Sequence, residues 1–214
     1  MDLKTLLRRL PPQDGDLTVE VDGVCYPMPY ETLSIEGREI KGVRENRFRF
    51  ALLHKLMAGV HPCFSLLDIG SNMGTTAAHF AQSFDQVTGI EAQLVYHSLA
   101  RELWPHVRFI HSDLNRTTLG RLMGGEKFSV VLALSMIEYI RDKETFVRDL
   151  YNATEQVCIV EGHSEDIYPR QRHLQYEALL KTQAWTVERC QENTDPGLNA
   201  PKWSQGRPVW VCRK

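Results

Sequence analysis

The 214-residue sequence has no apolar run long enough to cross a bilayer, which would take about 20 residues. It also lacks an excess of one charge. Lysine and arginine number 25 against 27 aspartates and glutamates, for a formal net charge of -2. Whole-surface attraction to nucleic acid is therefore not expected, although a local basic patch would still allow it. Lys4, Arg8 and Arg9 lie among leucines near the N-terminus, but no apolar core follows them, so a secretory signal is not expected. The five cysteines, Cys25, Cys63, Cys158, Cys190 and Cys212, form no C-x-x-C pair. Four lie in strand-like stretches, and all read as buried free thiols in a reducing cytoplasm. The eight histidines show neither H-x-x-x-H nor H-E-x-x-H spacing, so no dedicated metal site is expected. Internal repeats and low-complexity segments are absent too.

What is present is an ordinary globular balance, 43% hydrophobic and 24% charged, in a length suited to one domain with a short extension. Residues 3–10 read as a short helix stopped by Pro11-Pro12. Residues 17–26 alternate like a strand pair turning at Asp22-Gly23. Phe48, Leu52 and Leu56 recur every four residues, and Leu53, Met57 and Val60 share that period. They predict an amphipathic helix ending near Gly59 and His61-Pro62. These elements form an N-terminal extension over 1–60: a helix, a β-hairpin and a helix leading into the core. From 61 to 214, strands at 64–69, 86–91, 107–111, 128–134 and 157–161 alternate with helices. The helices fall at 73–84, 94–103, about 146–151, and from Pro169 to about 181. Two further strands, 185–190 and 207–213, close the chain. The stretch 128–134 is the most apolar and should be central. Such alternation predicts an α/β, doubly wound, mostly parallel sheet with helices on both faces. Its ligand site should lie beyond the carboxyl ends of the strands.

The chemistry-bearing segments sit at those strand ends. Asp68-Ile69-Gly70-Ser71-Asn72-Met73-Gly74 follows a strand and opens a helix. Its glycines allow a sharp turn and a close backbone approach to a ligand. A dinucleotide site would have glycine where Asn72 stands, beneath a pyrophosphate; a ligand without phosphates does not need it, and Asn tolerates left-handed angles. Glu91 closes the next strand 23 residues after Asp68, where a carboxylate can accept hydrogen bonds from ribose hydroxyls. Asp113, in Ser112-Asp113-Leu114, can accept from an adenine amino group or cap a helix. Leu114, Ala92 or Gln93 can cover the purine face. The strand ending at Leu134 leads into Ser135-Met136-Ile137-Glu138-Tyr139, with Glu138 and Tyr139 directed toward an acceptor pocket.

In order and spacing, Asp68-x-Gly70-x-x-x-Gly74, Gly89-Ile90-Glu91, Ser112-Asp113 and Leu132-Ala133-Leu134-Ser135 resemble class I S-adenosylmethionine-dependent methyltransferases. The resemblance runs from about Phe64 to Arg213 and implies an antiparallel final strand. It implies S-adenosyl-L-methionine as cofactor, with Asp68, Gly70 and Gly74 around its methionine portion; Asn72, in the same cofactor-binding loop, departs from the glycine many members have. Glu91 would hold ribose, Asp113 and Leu114 adenine, and Leu134 the strand edge facing the ligand. The segment Arg44-Glu45-Asn46-Arg47-Phe48-Arg49-Phe50 looks like the arginine-bearing helix of some sugar- and polysaccharide-modifying O-methyltransferases and of a wobble-uridine tRNA-modifying group. Arg38, Lys41, Arg44, Arg47 and Arg49 stand there against Glu39 and Glu45. One arginine, Arg47 as the leading candidate, could clamp the cofactor carboxylate, and another could meet an anionic acceptor. A solvated helix face is the alternative.

Methyl transfer from a sulfonium is an in-line displacement, and an alcohol acceptor also needs a general base. His163, just after the strand at 157–161, is the best candidate. Glu138, Tyr139 and Glu161 stand behind it, and His111 reads as a structural strand-end residue. With no Asp/Asn pair beside a candidate base, a Mg-dependent catechol-type mechanism is disfavoured. The expected activity is metal-independent O-methylation of a small or glycan-like acceptor, anionic ones included. An RNA-modifying (tRNA) methyltransferase and a non-catalytic cofactor-binding scaffold are the alternatives. A nicotinamide-dependent oxidoreductase is disfavoured by Asn72 and the terminal strand pair.

Overall fold

The structure, a computed structural model, describes residues 2–11, 17–35, 37–44, 46–164, 170–190 and 206–214. Pro12, Glu45 and Pro169, singled out in the sequence, lie outside the described residues, as does most of the loop between the two final strands.

The stretch Phe128–Leu134 is apolar except for Ser129 and buried along its whole length. A strand covered on both faces must sit inside a sheet flanked by helices. This strand, β8, is the middle member of a seven-stranded sheet. On one side of it lie β5 (Ser65–Ile69), β6 (Gln86–Glu91) and β7 (Arg108–His111). On the other lie β9 (Thr154–Glu161), β11 (Val209–Arg213) and, at the edge, β10 (Thr186–Cys190). The strands from β7 through β9 are parallel, and β11 runs antiparallel to both β9 and β10. The doubly wound reading and its antiparallel final strand therefore hold.

Alternation within the strands sends side chains to two cores. Leu66, Val130, Leu132, Ile159 and Val211 pack with Leu53 and Met57 and with Ala77 and Phe80. The first pair belongs to α2 (Asn46–Leu56) and the turn after it, the second to α3 (Thr75–Phe80). Leu67, Ile69, Val131, Val160 and Trp210 face the opposite way. They meet α5 (Leu119–Met123), α6 (Lys143–Ala153) and α7 (Arg170–Leu180). No described helix is long and apolar enough to cross a membrane.

The N-terminal residues build a third cluster. The helix α1 (Leu3–Arg9) packs on the hairpin β1 (Thr18–Val21)–β2 (Val24–Pro27), whose Asp22 and Gly23 both take positive φ as such a turn needs. A second hairpin, β3 (Leu33–Ile35)–β4 (Arg38–Ile40), adds Leu33, Ile35 and Ile40. Three-residue strands are too short to show an alternation, so this hairpin escaped the sequence reading. The cluster leans on Met73 and on Tyr96 and Leu99 of α4 (Leu94–Leu103). That placement brings the segment after β2 to the carboxyl ends of the strands. Parallel pairing of Glu31 with Arg44, and hydrogen bonds from Thr32 N to Arg44 O and Arg44 N to Tyr30 O, both 2.9 Å, hold it there.

Two helices differ from expectation. The helix α3 ends at Phe80, and the turns after it still deliver Phe84 to the core. The helix α5 was not foreseen: it has five residues, too few for a period, between the Thr118 cap and Gly124 at φ 61°.

Candidate functional site

The chain runs outward from β5 to β6 and β7, then returns to β8 on the other side of β5. The loops leaving β5 and β8 therefore diverge, and a crevice opens at their carboxyl ends. There lies a cavity of about 500 Å³. Asp68, Gly70, Asn72, Glu91, Asp113, Leu114, Leu134, Tyr139 and His163 all line it. Gly74, Arg47 and Glu138 do not.

The loop after β5 needs three left-handed residues: Gly70 at φ 76°, Asn72 at φ 50° and Gly74 at φ 78°. Gly70 N and Ser71 N both donate to Ile90 O, at 2.8 and 3.0 Å, which ties the turn to β6. At Gly70 a Cβ would run into Met136 Sδ across the crevice. Gly74 serves packing instead: it opens α3, and a Cβ there would strike the Phe109 ring. Asn72 is fixed at both ends, its Oδ1 accepting from Met73 N and its own N–H donating to Glu91 Oε2, each at 2.8 Å.

Glu91 is buried, and burial pushes its carboxyl pKa up. Its Oε1 accepts from Gln93 N at 2.7 Å. Each carboxylate oxygen thus spends one lone pair on the backbone and retains acceptor capacity on the cavity wall. Asp113 does not cap a helix, since Thr118 caps α5. Its Oδ1 accepts from Asn115 N at 2.9 Å, and Asn115 in turn bridges to Tyr139 O and Arg141 N. That bridge joins the two loops bordering the mouth.

Beneath the cavity lies a buried charge cluster. Arg49 donates to Glu31 Oε1 at 2.8 Å and to Glu161 Oε1 at 3.0 Å. Glu161 Oε1 also meets Arg44 at 3.4 Å, Arg207 at 3.3 Å and Ser135 Oγ at 2.6 Å. Burial would raise the Glu161 pKa, but three guanidiniums hold it well below the carboxylate range. It cannot serve as the base. The cation that α2 delivers to the cavity is Arg49. Arg47, the sequence candidate, is exposed and lies over Phe48 at 4.9 Å. Helical geometry accounts for the difference, because residues two apart point to different faces. Asp68 is buried, and among the described residues its Oδ2 has no hydrogen-bond partner. Burial, aided by Glu31 and Glu91 and opposed by Arg49, pushes its pKa to about 7.

On the acceptor side, Glu138 has no exposed side-chain surface. Its Oε1 accepts the His163 N–H at 2.8 Å. Its Oε2 lies 3.0 Å from His163 Nδ1, within contact distance but off the line of a well-aligned hydrogen bond. Burial would raise the Glu138 pKa, yet the contacts with His163 outweigh it and leave it lowered. Across the ring, His163 Nε2 lies 3.3 Å from the Tyr139 hydroxyl. His111 contacts Ala92 O at 2.9 Å, a strand-end arrangement.

The sequence reading missed Tyr30, Glu31, Met136 and Arg207. The first two come from the extension, far from the core motifs. Arg207 follows the undescribed loop, with no local pattern to mark it.

Residues 66–156 match the family described as methyltransferase domain. Among similar solved structures is the N-methyltransferase NodS from Bradyrhizobium japonicum WM9, in complex with S-adenosyl-L-homocysteine. It shares 16% identity over 78% of this chain and 86% of that one, at TM-score 0.60. Another is a TehB-like SAM-dependent methyltransferase from Corynebacterium glutamicum, at 14% identity over 75% and 85% and TM-score 0.56. A third is a putative methyltransferase in complex with the Trm112 methyltransferase activator from Haloferax volcanii, at 12% over 78% and 90% and TM-score 0.61. The cofactor such a domain uses fits the residues present. Glu91 keeps acceptor capacity for ribose hydroxyls, and the unpartnered Asp68 Oδ2 suits an ammonium group.

Proposed function

We propose that this S-adenosylmethionine-dependent methyltransferase of the class I fold methylates a hydroxyl group of a small or carbohydrate-like acceptor, without a metal, using His163 as general base. The observation that carries the reading is the His163 imidazole on the cavity wall, backed by the buried Glu138 carboxylate. A base in that position is needed for an alcohol and superfluous for an acceptor already ionised.

When bound, the cofactor supplies a methyl group on a sulfonium. The chain does the rest. Glu91 and Asp113 orient the nucleoside, while Asp68 and Arg49 border the other end. Met136 and Gly70 narrow the crevice between them, which helps to align donor and acceptor and to keep water out. Among the described residues no group of three or more histidines, cysteines or acids could hold a metal ion.

Charge bears on the acceptor class. Glu31, Asp68, Glu91 and Asp113 line the cavity against Arg49. Arg44 and Arg49, two of the five cations of the 38–49 segment, are taken up by Glu161 and Glu31. An uncharged hydroxyl is favoured over an anionic acceptor, and the RNA reading loses part of its basic patch.

The test is transfer of a labelled methyl group from S-adenosylmethionine into fractionated cell extract. Label in the low-mass or glycan fraction, lost in His163→Ala with S-adenosylhomocysteine binding intact, is expected. Label in the RNA fraction would replace the reading, and cofactor binding without transfer would favour the scaffold alternative.

A further inference from the structure

With His163 as the base, either ring nitrogen could take the proton. We infer that Glu138 is the positioning residue that makes Nε2 the proton acceptor, and that the Tyr139 hydroxyl stands where an acceptor hydroxyl must arrive. The inference rests on the hydroxyl-methylation reading for its chemistry, but its structural part does not need it.

Three contacts carry it. Glu138 holds the His163 loop through the backbone N–H and reaches the ring through Nδ1, at 2.8 and 3.0 Å. A carboxylate accepts only, so Nδ1 must be the protonated nitrogen of the neutral ring. Nε2 then carries the lone pair, and the group beside it is the Tyr139 hydroxyl, at 3.3 Å. Tyr139 is 61% exposed at the mouth, where an incoming acceptor meets it first. The loose alignment at Nδ1 is common before substrate binds and tightens once the ring becomes charged. In the reaction the acceptor oxygen takes the methyl carbon while the carbon–sulfur electron pair stays on sulfur. The acceptor O–H bond breaks, its proton moves to Nε2, and Glu138 balances the imidazolium.

The experiment uses the full chain with nitrogen-15-labelled histidine and bound S-adenosylhomocysteine. It is run at pH 8, above the ordinary imidazole range of about 6.5. Nitrogen shifts should report His163 as Nδ1–H. In Glu138→Gln the side-chain oxygen can keep the His163 N–H only by turning its NH2 group to Nδ1, so the tautomer should change to Nε2–H. Methyl transfer to the low-mass fraction of a cell extract should then fall roughly 10²- to 10⁴-fold, with S-adenosylhomocysteine affinity unchanged. Tyr139→Phe should keep the Nδ1–H tautomer. An Nε2–H ring in the unmodified protein, which needs no variant to fold, overturns the proposal, as does an unchanged tautomer in Glu138→Gln. A changed tautomer in Tyr139→Phe would make Tyr139, not Glu138, the group that sets the ring, and overturns the proposal. If the tautomers behave as expected but His163→Ala still transfers methyl groups, the base reading fails while the positioning by Glu138 stands.

Discussion

Glu91 accepts the backbone N–H of Asn72 at 2.8 Å, so the end of β6 holds the loop that leaves β5. The same carboxylate shapes the loop and faces the cavity. Glu91→Ala removes charge-assisted hydrogen bonds worth on the order of 1.5–3 kcal/mol, and S-adenosylhomocysteine affinity should fall roughly 10- to 150-fold. Glu91→Gln should not rescue it, because its NH2 group would face the N–H of Asn72 or Gln93. Calorimetry on both variants decides; wild-type affinity in a folded Glu91→Gln would show that the carboxylate is dispensable.

Asp68 and Glu161 should respond to pH in opposite directions. The folded Asp68 pKa, about 7, lies above its ordinary value of 3.8. Between those values the folded state binds more protons than the unfolded one. The contribution of Asp68 to stability is therefore complete below about pH 3.8 and lost as pH rises through about 7. For Glu161 the folded value lies well below 4.5, so its contribution is complete above that range and lost in acid. Asp68→Asn should raise the melting temperature at pH 8 by several degrees and leave it little changed near pH 4. If the charged form meets the cofactor ammonium, affinity for S-adenosylhomocysteine should rise about tenfold from pH 6 to pH 8. Asp68→Asn should flatten that rise, and 5′-methylthioadenosine, which lacks the amino-acid end, should show none. Identical pH dependence for both ligands would remove Asp68 from that role.

The arginines of the 44–49 segment should separate by burial. Arg44 and Arg49 are 2% and 4% exposed and meet Glu161. Removing either leaves a buried carboxylate short of a partner, a loss of about 3–5 kcal/mol where a pair is broken outright. Arg47→Ala, on the exposed face over the Phe48 ring, should cost about 1 kcal/mol or less. Denaturant titration of the three alanine variants tests this, and a severe Arg47→Ala loss would contradict the assignment of faces.

The frame was legible because β8 is an apolar run broken only by Ser129, and the bounds of β6, β8 and α4 agree with those expected from the sequence. The cavity wall was legible because Asp68, Glu91 and Asp113 each end a core strand or follow one closely. The floor was not. Glu31 and Arg207 reach Arg49 and Glu161 across long separations in sequence, and such pairing leaves no local pattern. Arg47 was preferred to Arg49 because α2 carries cations on several faces, while its apolar period left unclear which would point inward. The role of Glu138 beside His163 was half seen: both residues were named, but as rival bases rather than as one unit.

Asn72 provides the last prediction. It stands where a dinucleotide site would have glycine, in the left-handed region at φ 50°. Asparagine tolerates that region better than other side chains because it can hydrogen-bond locally, and here Oδ1 accepts from Met73 N. Asn72→Gly would relieve the conformation but lose that bond and add chain entropy to the unfolded state. These effects oppose one another at about 0.5–1.5 kcal/mol each, so stability should change little. The backbone N–H to Glu91 survives the change, so S-adenosylhomocysteine affinity should stay within a few-fold of wild type. Asn72→Val places a β-branched residue at positive φ, at about 1–3 kcal/mol. It should also loosen the grip of Glu91 and weaken S-adenosylhomocysteine binding along with stability. Melting curves and calorimetry on the pair separate the two demands. If glycine lost binding as severely as valine, the Asn72 side chain itself would have to touch the ligand. If valine bound as well as wild type, the left-handed turn would not be needed for the site.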